Sequence, residues 1–262
     1  MMHLPHQKFW VLSTLSLSLL TLTYYPLEAL SQTSGNNNEF RISSTSESQE
    51  IEYVSTDRDG KPGNTEASSN MGEPCGGVQP SQFKAFVPTA NGGILGLTTE
   101  SHPSFWFYIP YQAEDFHSMK LVVWDDTYDY REEKEIPASQ SVSGFMQISL
   151  PQTSKPLEVG KIYNVGLTVY CEDPATASDP TDVNKVSVKV AVGREPITPE
   201  LQSELEQAGD DLRQQAVVYA KHSMWFDALR IIGELRQKNP ENPQYQRDWN
   251  KLLEDIDMKI SE

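Results

Sequence analysis

One stretch of the sequence decides the fold: Val183-Asn184-Lys185-Val186-Ser187-Val188-Lys189-Val190-Ala191-Val192. From Lys185 onward apolar and polar residues alternate with a period of two, which is the period of a β-strand that buries one face. One face carries the valines at positions 186, 188, 190 and 192, and the other carries Lys185, Ser187 and Lys189. The pattern therefore predicts a strand that lies between a core and solvent.

Similar stretches extend this strand pattern back to residue 83. They are short runs of β-branched and aromatic residues, separated by breaks rich in Pro, Gly and Asp. No helical periodicity lies between them, so there is little room for the crossover helices of a parallel sheet. We therefore predict an antiparallel, immunoglobulin-like β-sandwich domain over residues 75–195. The predicted strands are 83–87, 94–98, 105–109, 119–124, 128–136, 144–150, 161–171 and 183–192.

After residue 195 the periodicity becomes helical, and we predict a helical tail over residues 196–262. Tyr219, Ala228 and Pro240 keep the spacing of a tetratricopeptide repeat (TPR), so this tail is predicted to be a small TPR-like unit. A single such unit either packs on the sandwich or leaves a groove open for a peptide. The predicted helices begin after three capping side chains, Thr198, Asp211 and Asn242, and at Trp225.

The N-terminal residues 1–31 are predicted to be a secretory signal peptide. The leucine-rich run over 9–23 is short and polar for a membrane span, and Ala29 and Ser31 suit a signal peptidase site. The alternative is an N-terminal anchor that is not cleaved. Residues 32–74 are dense in Ser, Asn, Thr, Gly and Glu, so we predict a disordered leader there. No later segment is predicted to span a membrane.

The chain is strongly acidic, with 37 acidic and 21 basic residues and a net charge of −16. This charge argues against nucleic acids and anionic membrane surfaces as partners, because both would repel it. The two cysteines are Cys75 and Cys171. In an oxidising compartment an even pair is more often bridged than free, so we predict a disulfide that pins the leader to the sheet.

Sequence motifs for catalysis are scarce. Beyond the predicted signal peptide the histidines are His102, His117 and His222, and none has the spacing of a zinc site. There is also no nucleophile elbow, P-loop or dinucleotide fingerprint in the sequence. No cofactor is predicted.

A weak calcium motif lies in the leader. Asp57, Asp59 and Glu66 fall at the third, fifth and twelfth places of an EF-hand loop, where carboxylates ligate the ion. Ser55 stands at the first ligand position and Pro62 lies within the loop. Such a match arises easily in an acidic segment of low complexity.

A second acidic cluster contains Asp125, Asp126 and Asp129 and lies between two predicted strands. The simplest interpretation is a hairpin turn, because Asp is common in turns. The alternatives are a cation site, or an acid and a base in a carboxylate-based hydrolase that acts on envelope polymers.

Four aromatic residues are candidates for partner binding. Trp106 and Tyr108 belong to a strand that is aromatic on both faces, so either the helical tail covers them or they form an open platform for a sugar or a partner. Trp225 and Phe226 lie at a tight turn between predicted helices. An exposed ring there would be an anchor for a partner, and the alternative is that both rings are core.

The ordered set of motifs resembles the cyanobacterial secreted family known as domain of unknown function 928. The motifs include Phe86-Val87-Pro88, Pro103-Ser104-Phe105-Trp106-Phe107-Tyr108-Ile109-Pro110, Tyr170-Cys171 and Trp225-Phe226-Asp227-Ala228-Leu229. The resemblance covers most of residues 60–257 and implies an exported protein with a β domain followed by a helical tail. The family has no assigned activity to transfer.

These observations favour a non-catalytic binding or scaffold protein of the cell envelope, in the periplasm or outside the cell. Its expected partner is an envelope protein or a glycan. The hydrolase with Asp125 and Asp126 as acid and base is the alternative.

Overall fold

The computed structural model describes residues 49–70, 75–141, 143–179 and 182–258; the predicted signal peptide lies outside them. Within these ranges the chain forms eleven strands and then four α-helices. The strands are β1 (Asn64–Ser69), β2 (Lys84–Ala85), β3 (Thr89–Ala90), β4 (Gly93–Ile94), β5 (Gly96–Thr98), β6 (Ser104–Ile109), β7 (Ser118–Trp124), β8 (Arg131–Pro137), β9 (Gly144–Ser149), β10 (Ile162–Tyr170) and β11 (Lys185–Arg194). The helices are α1 (Pro199–Ala208), α2 (Leu212–Lys221), α3 (Trp225–Lys238) and α4 (Pro243–Asp255).

The main sheet is predominantly antiparallel, with the strand order β8-β7-β10-β11-β1-β2-β6-β9. At its centre, β10 pairs along its length with β7 and β11. The four valines of β11 from Val186 to Val192 are buried, as their alternation predicts. β5 lies parallel to the second half of β11. The prediction of a mainly antiparallel β protein is confirmed, while its immunoglobulin-like character stays a prediction.

β1 corrects the predicted leader. Its residues pair with β11, as in Ser69↔Val186, and with β2 through Glu66↔Lys84. The polar composition of this segment suggests disorder, but its backbone completes the sheet between two partner strands, and those hydrogen bonds outweigh composition. The prediction of a disordered leader over 32–74 is therefore wrong for the strand Asn64–Ser69, and residues 32–48 and 71–74 lie outside the described residues.

The two ends of the strand order come close together in space. Lys134 of β8 donates a hydrogen bond from Nζ to the backbone carbonyl of Ser149 in β9, at 3.3 Å. The sheet is therefore curled around its core. Three strands supply inward side chains at alternate positions: Met119, Leu121 and Val123, then Tyr163, Val165, Leu167 and Val169, then the valines of β11.

The helices begin where their capping residues predict. Thr198 accepts a hydrogen bond from the backbone N–H of Leu201, and Asp211 accepts one from that of Gln214. Asn242 caps α4, whose first residue is Pro243. Four C-terminal helices are confirmed, and the TPR-like description stays a prediction. Among the described residues no helix has both the length and the apolar character needed to cross a membrane.

A disulfide joins Cys75 to Cys171, with Cα atoms 5.0 Å apart and a sequence separation of 96. This confirms the predicted pairing. Closing so long a loop lowers the entropy of the unfolded chain, which the chain-entropy model values at about 4 to 5 kcal/mol.

The helical tail packs on the outer face of β6. Trp106 is buried there, with its ring centroid 5.1 Å from that of Trp249 in α4. Gly233 of α3 lies directly against the same indole, because a Cβ at this position would be only 2.2 Å from Cζ2 of Trp106. The described residues, from 49 onward, accordingly form one compact unit.

Replacing Gly233 with Ala tests this packing. The added Cβ requires α3 to move away from the sheet, and we expect a loss of roughly 1–3 kcal/mol in the free energy of unfolding. The loss would occur although Ala favours helices by about 1 kcal/mol over Gly. Urea unfolding measures the change, and Gln237→Ala, at an exposed position of the same helix, is the control. A Gly233→Ala variant as stable as wild type would show that the indole does not determine this contact.

Candidate functional site

Residues 49–58, here called the strap, run across the helical tail. The backbone N–H of Val54 donates to the carbonyl of Ala220, at 3.1 Å. The backbone N–H of Tyr53 donates to Asp255 Oδ2, at 2.9 Å. The side chains of Ile51 and Tyr53 are buried against the helices. The strap is thus held as a bound extended peptide is held, by backbone hydrogen bonds and alternate side chains.

The strap was missed by sequence reasoning, and it further corrects the predicted leader. The sequence offers one sign of an ordered extended segment here, the apolar residues Ile51 and Tyr53 at the two-residue spacing of a strand. Two residues are too few to establish periodicity in a polar segment. The partners that order the strap lie some 160 to 200 positions later, so local sequence does not reveal them.

A surface pocket of about 530 Å³, here called the junction pocket, lies where three parts of the chain meet. They are the strap, the linker between β11 and α1, and the turn between α2 and α3. The pocket is lined by Val54, Ser55, Thr56, Asp57, Arg58, Leu97, Glu195, Pro196, Thr198, His222, Ser223 and Met224. Each wall is fixed by the packing of the tail on the sheet, so the pocket is a product of that packing.

One side of the junction pocket carries exposed apolar surface. Val54 lines the pocket with 48% of its surface exposed. Ile197 is also 48% exposed; it does not itself line the pocket, but its chain neighbours Pro196 and Thr198 do. The pocket therefore presents at least one large apolar side chain to solvent.

Charged groups lie in pairs within the pocket and beside it. Arg58 forms an ion pair with Glu195 inside the pocket. His222 Nε2 lies 3.3 Å from Glu204, whose carboxylate also binds Lys221 at 2.8 Å. Lys221 holds the pKa of Glu204 below its usual range. The pocket therefore offers apolar surface together with both signs of charge, an arrangement suited to binding a protein segment.

Asp227 fixes the start of α3 to the sheet beside this pocket. Its two carboxylate oxygens accept hydrogen bonds from the backbone N–H of Thr99 at 3.1 Å and from the Thr99 hydroxyl at 2.7 Å. The side chain is fully buried. Burial raises the pKa of Asp227 to about 6, and the hydrogen bonds from Thr99 oppose this rise.

Because the pKa of Asp227 is raised, we expect the free energy of unfolding to fall as the pH rises. The folded chain binds the Asp227 proton more tightly than the unfolded chain, whose pKa is 3.8. The resulting stability is present below that value and is lost as the pH rises through about 6, a change of about 3 kcal/mol. We expect the unfolding free energy of wild type to fall relative to that of Asp227→Asn by roughly 2 to 3 kcal/mol between about pH 4 and pH 8. Parallel pH profiles in urea unfolding would contradict the assignment.

Trp225 and Phe226 are both core residues, so the alternative left open by the sequence holds and neither candidate is an exposed anchor. Trp225 is 0% exposed and donates from Nε1 to the carbonyl of Phe86, at 2.8 Å. The ring of Phe226 packs edge-on against Phe105, with centroids 5.1 Å apart. The turn directs both rings inward, since α3 needs them to cover the sheet.

Trp106 and Tyr108 have different surroundings. Trp106 is covered by the tail, as described above, so it is not an open platform. Tyr108 is half-buried and packs against Phe145 of β9, with ring centroids 5.7 Å apart. The tail thus covers the first of these predicted residues, and a neighbouring strand contacts the second.

The acidic cluster forms the turn between β7 and β8. The backbone N–H of Asp125 donates to the carbonyl of Tyr130, and Thr127 bridges Asp125 and Asp129 with its hydroxyl. Asp126 is exposed and accepts hydrogen bonds from Lys61 and Asn164. Lys61, and then Asn164, lower the pKa of Asp126, whereas a catalytic acid needs a raised pKa.

The residues of the predicted calcium loop are spread along an extended segment. Asp59 forms a β-bridge with Asn91, and Asp57 accepts a hydrogen bond from Asn91 through its backbone carbonyl. Glu66 lies in β1 and pairs with Lys84 at 2.9 Å. In the described part of the chain no group of three or more His, Cys, Asp or Glu side chains is arranged to hold a metal ion.

The fold and the pocket together define a mainly antiparallel β protein whose C-terminal helices are packed on the sheet and clasped by an N-terminal strap. The family model described as Domain of Unknown Function (DUF928) matches residues 26–262, and the chain belongs to this family. The resemblance seen in the sequence is thereby confirmed at the level of the family. A search of curated proteins finds no match.

Proposed function

We propose that the protein is a non-catalytic binding or scaffold protein of the cell envelope that engages an envelope protein or glycan at the junction pocket. The observation that carries the proposal is the exposed apolar side chain of Val54 in a pocket that also holds charged groups of both signs. Apolar anchors framed by polar groups are the usual composition of a protein interface.

The disulfide supports the proposed location in the periplasm or outside the cell. A bond between Cys75 and Cys171 persists in an oxidising environment, as in the periplasm or outside the cell, and is rare in the cytosol. The signal peptide over 1–31 and a cyanobacterial source belong to this proposal as well. The predicted TPR-like character of α2 and α3 also supports a binding function, since the turn between these helices lines the junction pocket.

A carboxylate-based hydrolase receives less support. Asp125 and Asp126 lie on a solvated turn rather than in a cleft, and Asp126 is neutralised by Lys61. Among the described residues Asp227 has a raised pKa, but both of its carboxylate oxygens accept hydrogen bonds and its side chain is out of contact with solvent. Neither arrangement supplies the accessible acid and base that glycoside hydrolysis requires.

The proposal is tested by capture from a solubilised envelope of the native host. The baits are wild type, the double variant Val54→Asp and Ile197→Asp, and Leu212→Asp as a control at a position 46% exposed at the far end of α2. Because all three positions are exposed, we expect the melting temperatures to remain close to wild type. Quantitative mass spectrometry and glycan analysis identify what each bait retains.

We expect wild type and Leu212→Asp to enrich the same component over an unrelated protein of similar negative charge. The double variant should lose that component by roughly tenfold or more, the effect of about 1.4 kcal/mol of lost contact. Equal capture by all three baits would refute the pocket as the binding site. No enrichment over the charge-matched protein would refute the binding function.

A further inference from the structure

Asn91 and Gly92 form the turn between β3 and β4, and nowhere else in the sequence does a glycine directly follow an asparagine. Both residues are exposed. Gly92 has a φ of 72°, which glycine adopts without steric cost, and it carries no Cβ to shield its backbone nitrogen. The turn therefore presents an asparagine side chain beside an unhindered backbone amide.

The backbone N–H of Gly92 is accessible for reaction. It forms no hydrogen bond in the described part of the chain, and the position that a Cβ on Gly92 would occupy is open space. The carbonyl of the same peptide unit, that of Asn91, accepts a hydrogen bond from the N–H of Gly60 at 2.7 Å. Loss of the Gly92 proton places negative charge on this carbonyl oxygen. The bond from Gly60 therefore makes the Gly92 nitrogen easier to deprotonate.

The side chain of Asn91 holds the C-terminal end of the strap. It donates from Nδ2 to the backbone carbonyl of Asp57, at 3.0 Å. Asn91 also forms a β-bridge with Asp59. Arg58, between these two acidic residues, is already paired with Glu195. The contact therefore needs a hydrogen-bond donor at position 91, and a carboxylate there would face an acceptor that lies between two acidic side chains.

We propose that Asn91 is a site of spontaneous deamidation and that its modification loosens the end of the strap. The deprotonated nitrogen of Gly92 attacks Cγ of Asn91 and forms a new C–N bond. The bond between Cγ and Nδ2 breaks, and Nδ2 takes up a proton from solvent and leaves as ammonia. Water then opens the cyclic imide at either carbonyl, which gives aspartate or isoaspartate at position 91. Water is the only co-reactant, and no oxidant or reductant takes part.

Both products weaken the attachment of the strap. Aspartate replaces the N–H donor with a carboxylate, which repels the carbonyl oxygen of Asp57. Isoaspartate also adds a carbon atom to the main chain, so the β-bridge to Asp59 loses its register. Asp57 and Arg58 line the junction pocket, and the modification therefore alters one wall of that pocket. The chemistry itself does not depend on the proposed function.

The modification is measured on the folded protein, incubated in warm, mildly alkaline buffer made with water enriched in heavy oxygen. Peptide mapping by mass spectrometry with electron-transfer fragmentation distinguishes aspartate from isoaspartate and detects the incorporated oxygen. Gly92→Ala is the matched variant, because it keeps Asn91 and adds a Cβ beside the attacking nitrogen where the structure has room for one. Asn250, which is exposed on α4 and precedes Lys251, is the internal control.

We expect isoaspartate to accumulate at position 91 of wild type without any added enzyme, and roughly tenfold more slowly in Gly92→Ala. Asn250 should stay unmodified over the same period. An unmodified Asn91, or equal rates at Asn91 and Asn250, would overturn the proposal. If Gly92→Ala does not fold, the comparison of Asn91 with Asn250 in wild type decides the outcome.

The effect on the strap is measured by hydrogen exchange in NMR spectra. The amide of Gly60 donates to the carbonyl of Asn91, so it reports on this attachment. We expect it to exchange roughly tenfold faster in Asn91→Asp and in deamidated wild type than in fresh wild type, the effect of about one lost hydrogen bond. The amide of Leu167 in β10 should be unchanged. Equal exchange of the Gly60 amide in all samples would show that the strap stays in place and would overturn this part of the proposal.

Discussion

The indole of Trp106 projects from the outer face of β6 and is enclosed by the backbone of α3 at Gly233 and by the ring of Trp249 in α4. This contact removes a large aromatic surface from water on the sheet and on the tail at the same time. Without the tail, a strand that is apolar on both faces would be exposed. Without the sheet, the apolar side of α3 would be exposed. Each part therefore needs the other to be stable in water.

The remaining features follow from that contact. Once α3 is fixed on β6, its first turn brings Asp227 to Thr99, and the cost of burying this carboxylate is offset by two hydrogen bonds. The outer surfaces of α2 and α4 are then available to the strap. The junction pocket forms where the strap, the β11–α1 linker and the α2–α3 turn converge.

Local signals in the sequence were sufficient for most of the elements. Alternation predicts β11, and the capping side chains of Thr198, Asp211 and Asn242 predict three helix starts. Such signals act over a few residues. The order of β1 and of the strap depends on partners more than a hundred positions away, as in Ser69↔Val186, and their composition points to disorder.

The candidate sites were less predictable for the same reason. Asp126 was recognised as part of a turn, but its partners Lys61 and Asn164 come from distant segments. The sequence leaves open whether Trp225 and Phe226 at the tight turn are exposed or core, and the packing of α3 turns both rings inward. Val54 is an ordinary residue in the sequence and becomes notable only because the fold exposes it in the junction pocket.

The central claim is that sheet and tail form one cooperative unit, and native-state hydrogen exchange tests it most directly. The account predicts that the slowest amides of α3 and α4 exchange with the same free energy of opening, and the same dependence on denaturant, as those of β10. A lower free energy of opening for the helices, with the amides of β10 still protected, would show that the tail detaches from an intact sheet and would contradict the account.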